Sequence, residues 1–489
     1  MQRPVHSCSQ RSCPVIGRSG QRGAIAAMFP VLLLVMIAIC GFSLGLSQVY
    51  NRKIELQQVS DAAALAAARQ LDGSQAGLDR ALAAANSTAA NFVYSYHNLP
   101  IEWSNSAIQF GSGPDGGSSG WIDGSTARNA AGQIFFVKTD TARLDSKHGV
   151  VQNPFLAILS AASAEVEIHS HSIAGRFSMA ITPLAVCALS NTPAASRSGE
   201  LVEYGFRRGV AYDLMQLNPN GTTAENFLLN PIAPAGTVGT AVSSKLGVLQ
   251  PYVCTGTIAL PNLAGGSITV ERPFPLASLY QQLNSRFASY TAPCDPKSAP
   301  PDANIKAYTY GSDAAWMTNV PAGQTAQSTT SGGKLQTVAD PAPSPAGTTG
   351  PAYGPLWSYA KAAQYSSYVA GQPEPSTGYA SYATSAWPTL YSPGSPTAKA
   401  SYPTNGPYQA TSGTNFQAPP ATYKSLRDRR ILNVALLQCP VAAGSTAAAN
   451  VLGVGRFFMT VPATATSLSA EFVGMARNQA LGGEVGLFE

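Results

Sequence analysis

Charge is what this 489-residue chain has least of: Lys, Arg, Asp and Glu together make up 11% of it. Between Arg22 and Arg52 there is none, and no Asp or Glu occurs before Glu55. The net charge of +5 comes largely from a basic N-terminal tail, so no nucleic-acid partner is expected. Histidine is scarce as well. His97, His148, His169 and His171 are the only candidate bases beyond the uncharged run, and none sits in a triad motif. Seven cysteines include no C-x-x-C, which removes a thioredoxin-like site and a zinc ribbon. Gly333-Lys334 has Ser328 where a phosphate-binding loop requires glycine, and no hydroxyl residue follows it.

What replaces charge is apolar length. Ala24 to Leu46 supplies an apolar run long enough for the roughly 20 residues that a helix needs to cross a bilayer. Pro30 falls in the first turns, where a missing N–H costs least. Arg3, Arg11, Arg18 and Arg22 precede the run, which predicts a cytoplasmic N-terminus and a body on the far side. A cleaved secretory signal is the rival reading. Its apolar core would be longer than the usual ~7–15 residues, and no small-x-small site precedes the next helix. Gly41 and Gly45 form G-x-x-x-G with Ala38 one turn earlier, a face on which two membrane helices could approach closely.

The helical pattern does not stop with the apolar run. No Gly or Pro interrupts Ser47 to Asp72, and Leu56, Val59, Ala63 and Ala66 fall on one stripe. The helix is expected to run unbroken to about Arg69, ~70 Å in all, with Gly73 as its stop.

This is where the chain resembles a known family. Arg22-Gly23-Ala24-Ile25 ahead of the run, Tyr50, Arg52 and Lys53, Leu56-Gln57, and Asp61 to Ala66 after it look like the N-terminal segment of TadE/TadG-like proteins of Flp (Tad) pilus assembly. Two positions depart from related patterns. Gly45 stands where the family often has Asp, and Met28 stands where pilin precursors place a glutamate, which argues against pilin-type cleavage after Gly23. The resemblance implies a structural component of a pilus or related surface or secretion apparatus. Its expected partners are the membrane, other assembly proteins or pilin-like subunits, and further copies through the apolar helix. The expected place is a bacterial inner membrane, single-pass. The Asp-x-Ser-x-Ser run of the von Willebrand A-type domain found in some TadG-like proteins is missing. The alternative is a membrane-anchored adhesin or hydrolase.

The remaining chain predicts an α+β fold: the long helix, a second at Ala76 to Phe92, then a mixed periplasmic body. Strands are expected at Ile134 to Val137, Glu165 to Ser172, Leu184 to Leu189, Ser267 to Val270, Arg429 to Cys439, Gly455 to Val461 and Glu471 to Gly474. Short helices are expected at Asn153 to Leu159 and Pro275 to Phe287. The divisions are a tail (1–23), the apolar helix (24–46), helices beyond it (47–92), a body (93–316), a Pro/Gly/Ser/Tyr-rich insert (317–422) and C-terminal strands that complete the body (423–489). The insert holds no sustained period and is expected to be a long surface loop or disordered.

Four cysteines, Cys187, Cys254, Cys294 and Cys439, lie in the body. In an oxidising compartment they form two disulfides with three possible connectivities, of which Cys254–Cys294 with Cys187–Cys439 is the expectation. Glu165, Glu167, His169 and His171 alternate on one strand face. They spread over ~20 Å at strand rise, so a solvated face is favoured over a metal site. Gly116 to Gly120 spells G-x-S-x-G inside a glycine-rich loop, without the flanking strand and helix of a nucleophile elbow. No catalytic, metal or cofactor residues are assigned, and the chain is expected not to be an enzyme.

Overall fold

The computed structural model describes residues 22–72, 74–94, 99–144, 148–152, 165–231, 245–259, 267–314, 316, 323–340, 353–391, 401–477 and 481–488. Its spine is α1, Arg22–Ala68, 47 residues without a break. From Met28 the helix is long and apolar enough to cross a membrane, and its side chains as far as Leu46 are mostly exposed. The predicted stop, Gly73, lies outside the described residues, as does the helix expected at 153–159.

The upper half of α1 is the core of a small α+β unit. α2, Gln75–Ala89, folds back along it, with Ser74 capping its first turn by accepting from the Gly77 N–H at 3.0 Å. Alanines make the contact: Ala63, Ala64, Ala67 and Ala68 of α1 and Ala81 and Ala85 of α2 are buried in one cluster. The expected stripe is thus wider and slightly rotated, because Ala67 takes the inward position and Ala66 is only half-buried. An antiparallel sheet closes the unit. Its strands are β1 (Ile108–Gly111), β2 (Phe136–Asp140) and β5 (His171–Arg176), with the hairpin β3 (Val150–Gln152) and β4 (Glu165–Glu167) before β5. The strand expected over Glu165 to Ser172 is two strands, since Ile168 turns inward and bonds its N–H to Gly149.

From Leu184 the chain builds a second body. Its strands are β6 (Leu184–Cys187), β7 (Glu200–Glu203), β8 (Ala211–Asp213), β9 (Asn226–Leu229), β10 (Ser267–Glu271), β11 (Ile431–Leu437), β12 (Thr446–Met459) and β13 (Ser469–Met475). The order β6–β9–β10–β12–β11 closes on itself, because β11 pairs both with β12 and, in parallel, with β6. Closure removes the free edges of a small sheet. Period-two alternation then sorts the side chains. Ala185, Phe227, Leu229, Ile268, Val270 and Leu437 fill the inside. Leu184, Val186, Leu228, Val434 and Leu436 point outward, under α3 (Leu246–Thr255) and α4 (Leu276–Leu283). The last strand, β14 (Val485–Phe488), leaves this body and pairs with β5, so the chain end completes the sheet that covers α1.

The described parts of the insert are poor in regular structure and largely exposed, as expected, but some of their aromatic side chains are packed inward. Trp357, Trp387, Tyr391 and Tyr408 are buried in the outer core of the barrel. Composition misleads here because aromatic area, rather than a periodic pattern, holds the segment. Trp357 lies on Gly209, whose φ of +77° and missing Cβ leave room for the indole. The following residues hang on one carboxylate. Glu471 of β13, fully buried, accepts the N–H groups of Ser358 (2.6 Å), Tyr359 (3.0 Å) and Ala360 (2.7 Å). Outside the insert, Arg430 is buried between Phe287 and Phe458. It donates to the carbonyls of Asn304, Lys306, Met459 and Thr460.

Burial pushes the Glu471 carboxyl up to about 7 from 4.5, against the opposite pull of its three N–H donors. The folded protein therefore holds this proton where the unfolded chain releases it. The stabilising contribution is complete below pH 4.5 and is lost as pH rises through 7, by roughly 3 kcal/mol. Urea unfolding at a series of pH values should show this loss in the native protein. In Glu471→Gln the slope between pH 4.5 and 7 should be shallower; an unchanged slope would show that Glu471 does not titrate in that window.

Candidate assembly surface

The residues that carry the family resemblance and the small residues of the apolar run are all on α1, and the fold treats its two halves differently. In the lower half, Ala38, Gly41 and Gly45 lie on one face, i, i+3 and i+7. Both glycines are buried, whereas Val35, Ile39, Phe42, Leu44 and Leu46 are exposed. Most side chains on this part of the helix are exposed. Cys40, beside it, is a free thiol.

In the upper half the family-like residues are consumed within the chain. Leu56 is buried against Val59, Ala89 and Ile101. Gln57 donates to Asp61 Oδ1 at 2.7 Å and to Ser172 Oγ at 2.9 Å, while its carbonyl accepts from Ser170 Oγ. Ser172 Oγ in turn donates to Asp61. One turn on, Ser60 Oγ meets Thr139 Oγ1 at 2.7 Å, and Thr139 Oγ1 bonds the Ser60 carbonyl at 2.9 Å. At the top, Arg176 donates to the Leu71 carbonyl at 2.9 Å. A polar ladder thus runs beside the alanine seam and sets the register of α1 against β2 and β5. Each alanine admits a close backbone approach, and each polar rung is a satisfied group that a slipped helix would leave unpaired. The sequence marked the alanines; the partners of Gln57 and Asp61 lie more than a hundred positions away and carry no local signal.

In the body, the four cysteines pair as Cys187–Cys439 and Cys254–Cys294. The first joins the end of β6 to the end of β11, two strands that are also hydrogen-bonded in parallel. The second joins the C-terminal turn of α3 to the loop after α4. Glu225 brings a carboxylate near Cys187 and Cys439, within 4.8 Å. Both sulfurs are in the disulfide, so that trio offers no thiolate. Of the alternating residues, His169 Nε2 lies 3.3 Å from Glu167 on an exposed edge, and His171 is on the next strand. The G-x-S-x-G letters form a 3-10 turn, Gly117–Ser119.

Comparison with known proteins agrees with this division. Residues 23–70 match the family model of the TadE/G-like Flp pilus-assembly domain, which is α1 and the turn that follows it. No curated protein and no solved structure matches the chain.

Asp61 is the acceptor that gathers the ladder. Asp61→Ala should lower unfolding stability by about 1–3 kcal/mol, since the Gln57 amide and the Ser172 hydroxyl lose their acceptor. Asp61→Asn, which keeps Oδ1, should cost much less. Equal losses in urea titrations of the two variants would mean that Asp61 acts through charge rather than through the ladder.

Proposed function

Because residues 23–70 are a TadE/G-like segment, we propose that the protein is a membrane-anchored structural component in the assembly of a Flp (Tad) type pilus or a related surface or secretion apparatus. It sits in the inner membrane by a single span, with the basic tail in the cytoplasm and both bodies in the periplasm. It works by binding and positioning, not by catalysis. The observation that carries this reading is that one unbroken helix is both the family segment and the internal strut of the α+β unit.

The division of α1 says where partners would bind. Its upper face is occupied by α2, β2 and β5, which leaves the apolar half to meet pilin-like subunits, assembly proteins or a second copy. Small residues at Ala38, Gly41 and Gly45 supply a face for close helix contact. Two disulfides suit an oxidising compartment. The positive-inside bias supports that compartment on the C-terminal side.

Gly41→Leu with Gly45→Leu should abolish co-purification with the pilus-assembly partners while both disulfides still form. Retained co-purification would remove this face from the assembly role. A C-terminal alkaline phosphatase fusion should be active in cells; an inactive phosphatase fusion, with an active cytoplasmic reporter at the same position, would reverse the topology.

A further inference from the structure

Between the apolar run and the first buried leucine of the seam, α1 is not bare. Gln48, Val49, Arg52 and Glu55 fall at i, i+1, i+4 and i+7, on the face that continues into Leu56, and all four are half-buried. The side chains of Arg52 and Glu55 keep only 15% and 19% of their exposure and pair at 3.9 Å. The opposite face is open: Tyr50 is 63% exposed, and Asn51, Lys53 and Ile54 are exposed with it. The folded unit therefore covers one face of α1 as far down as Gln48. That is two positions beyond Leu46, or ~3 Å along the axis. The polar layer on each side of a bilayer is ~5–7 Å deep, so a cover that reaches Gln48 has entered it.

The hydrogen bonds show which part of the unit points that way. Ser170 and Ser172 stand level with Gln57 and Asp61, and Arg176 stands level with Leu71, so β5 climbs in the same direction as α1. The chain before Ser170 accordingly lies on the side of the apolar run. That chain is β4, paired with β3, and β3 packs beside α1. The ladder ends at Gln152 opposite Glu165, both exposed, and the sequence between them contains no charged residue.

We propose that this end of the α+β unit, β3 and β4 with Tyr50 and Lys53 of α1, is seated in the headgroup layer of the bilayer. The body then stands at a fixed height instead of swinging on a tether. The proposal rests on the reading that α1 spans a membrane. The groups at this level are of both signs, Lys53 and the Arg52–Glu55 pair on α1 and Glu165, Glu167 and His169 on the hairpin. Seating therefore needs no anionic lipid. A tyrosine hydroxyl, an amide and a lysine at the interface suit phosphate and glycerol oxygens of a zwitterionic surface.

The test uses the full chain in phosphatidylcholine nanodiscs, with Cys8, Cys13 and Cys40 replaced by serine. An environment-sensitive fluorophore is placed at Gln152→Cys, at Leu44→Cys in the apolar run, and at Ser412→Cys on an exposed loop of the barrel body. Nitroxides on the lipid headgroup should quench the label at 152 several-fold more than the label at 412. Nitroxides on the acyl chain should quench the label at 44. If the label at 44 is quenched but that at 152 is quenched no more than that at 412, the seating is wrong although the span stands. If acyl-chain nitroxides leave the label at 44 untouched, the span fails and the seating falls with it. Glu165→Cys repeats the measurement from the paired strand, so that a local disturbance at Gln152 does not decide the outcome.

Discussion

The hydrogen-bond ladder of α1 is the constraint on which the other contacts depend. In an apolar medium each peptide N–H and C=O must find its partner within the segment, and a helix achieves that over any length. Here the ladder continues past Leu46 to Ala68, through residues that polar solvent would also accept. Nothing in the chain stops it sooner, since no Gly or Pro falls between Ser47 and Asp72. The helix thus enters the α+β unit without a break, and β2, β5 and α2 pack around it as a post. A flexible joint below Leu56 would uncouple the body from the lower half of the helix.

The two halves of the post solve different packing problems. The lower half presents large aliphatic side chains outward in all directions, with a narrow line of small residues. The upper half presents alanine to a helix and hydroxyl-bearing residues to a sheet. Alanine lets α2 approach closely, while the Gln57–Asp61–Ser172 set forbids a slip by one turn. The final strand, β14, adds to the same sheet, so the post is clasped by the chain end as well as by the residues that directly follow it.

The barrel body relies on closure and on buried charge. Apart from the 14-residue β12 its strands are short, and the ring from β6 through β12 to β11 buries most of both faces. The loops outside are held by polar groups with no solvent to compete. Three N–H groups converge on Glu471, and the Arg430 fork reaches four backbone carbonyls. The Glu471 contacts orient a segment that has no periodicity of its own. They also make it sensitive to protonation, because a buried carboxyl must choose between desolvation and its donors.

Local sequence suffices for the long helix, its apolar half, its TadE/G-like segment, and most of the strands whose residues alternate. These are local properties: the 3.6 and 2.0 periods, the run without charge, and the letters from Arg22 to Ala66 all lie within one stretch of chain. Only distant contacts fix the place of the aromatic residues in 353–391 and 401–422, because Trp357 and Tyr408 gain their burial from strands far away in the chain. Tertiary structure alone decided that the strand read over Glu165 to Ser172 breaks at Ile168. It also decided that Gln57 and Asp61 face Ser172, and that the fold descends α1 as far as Gln48. Each of these is a meeting between distant residues, and no local period encodes the partner on the other side.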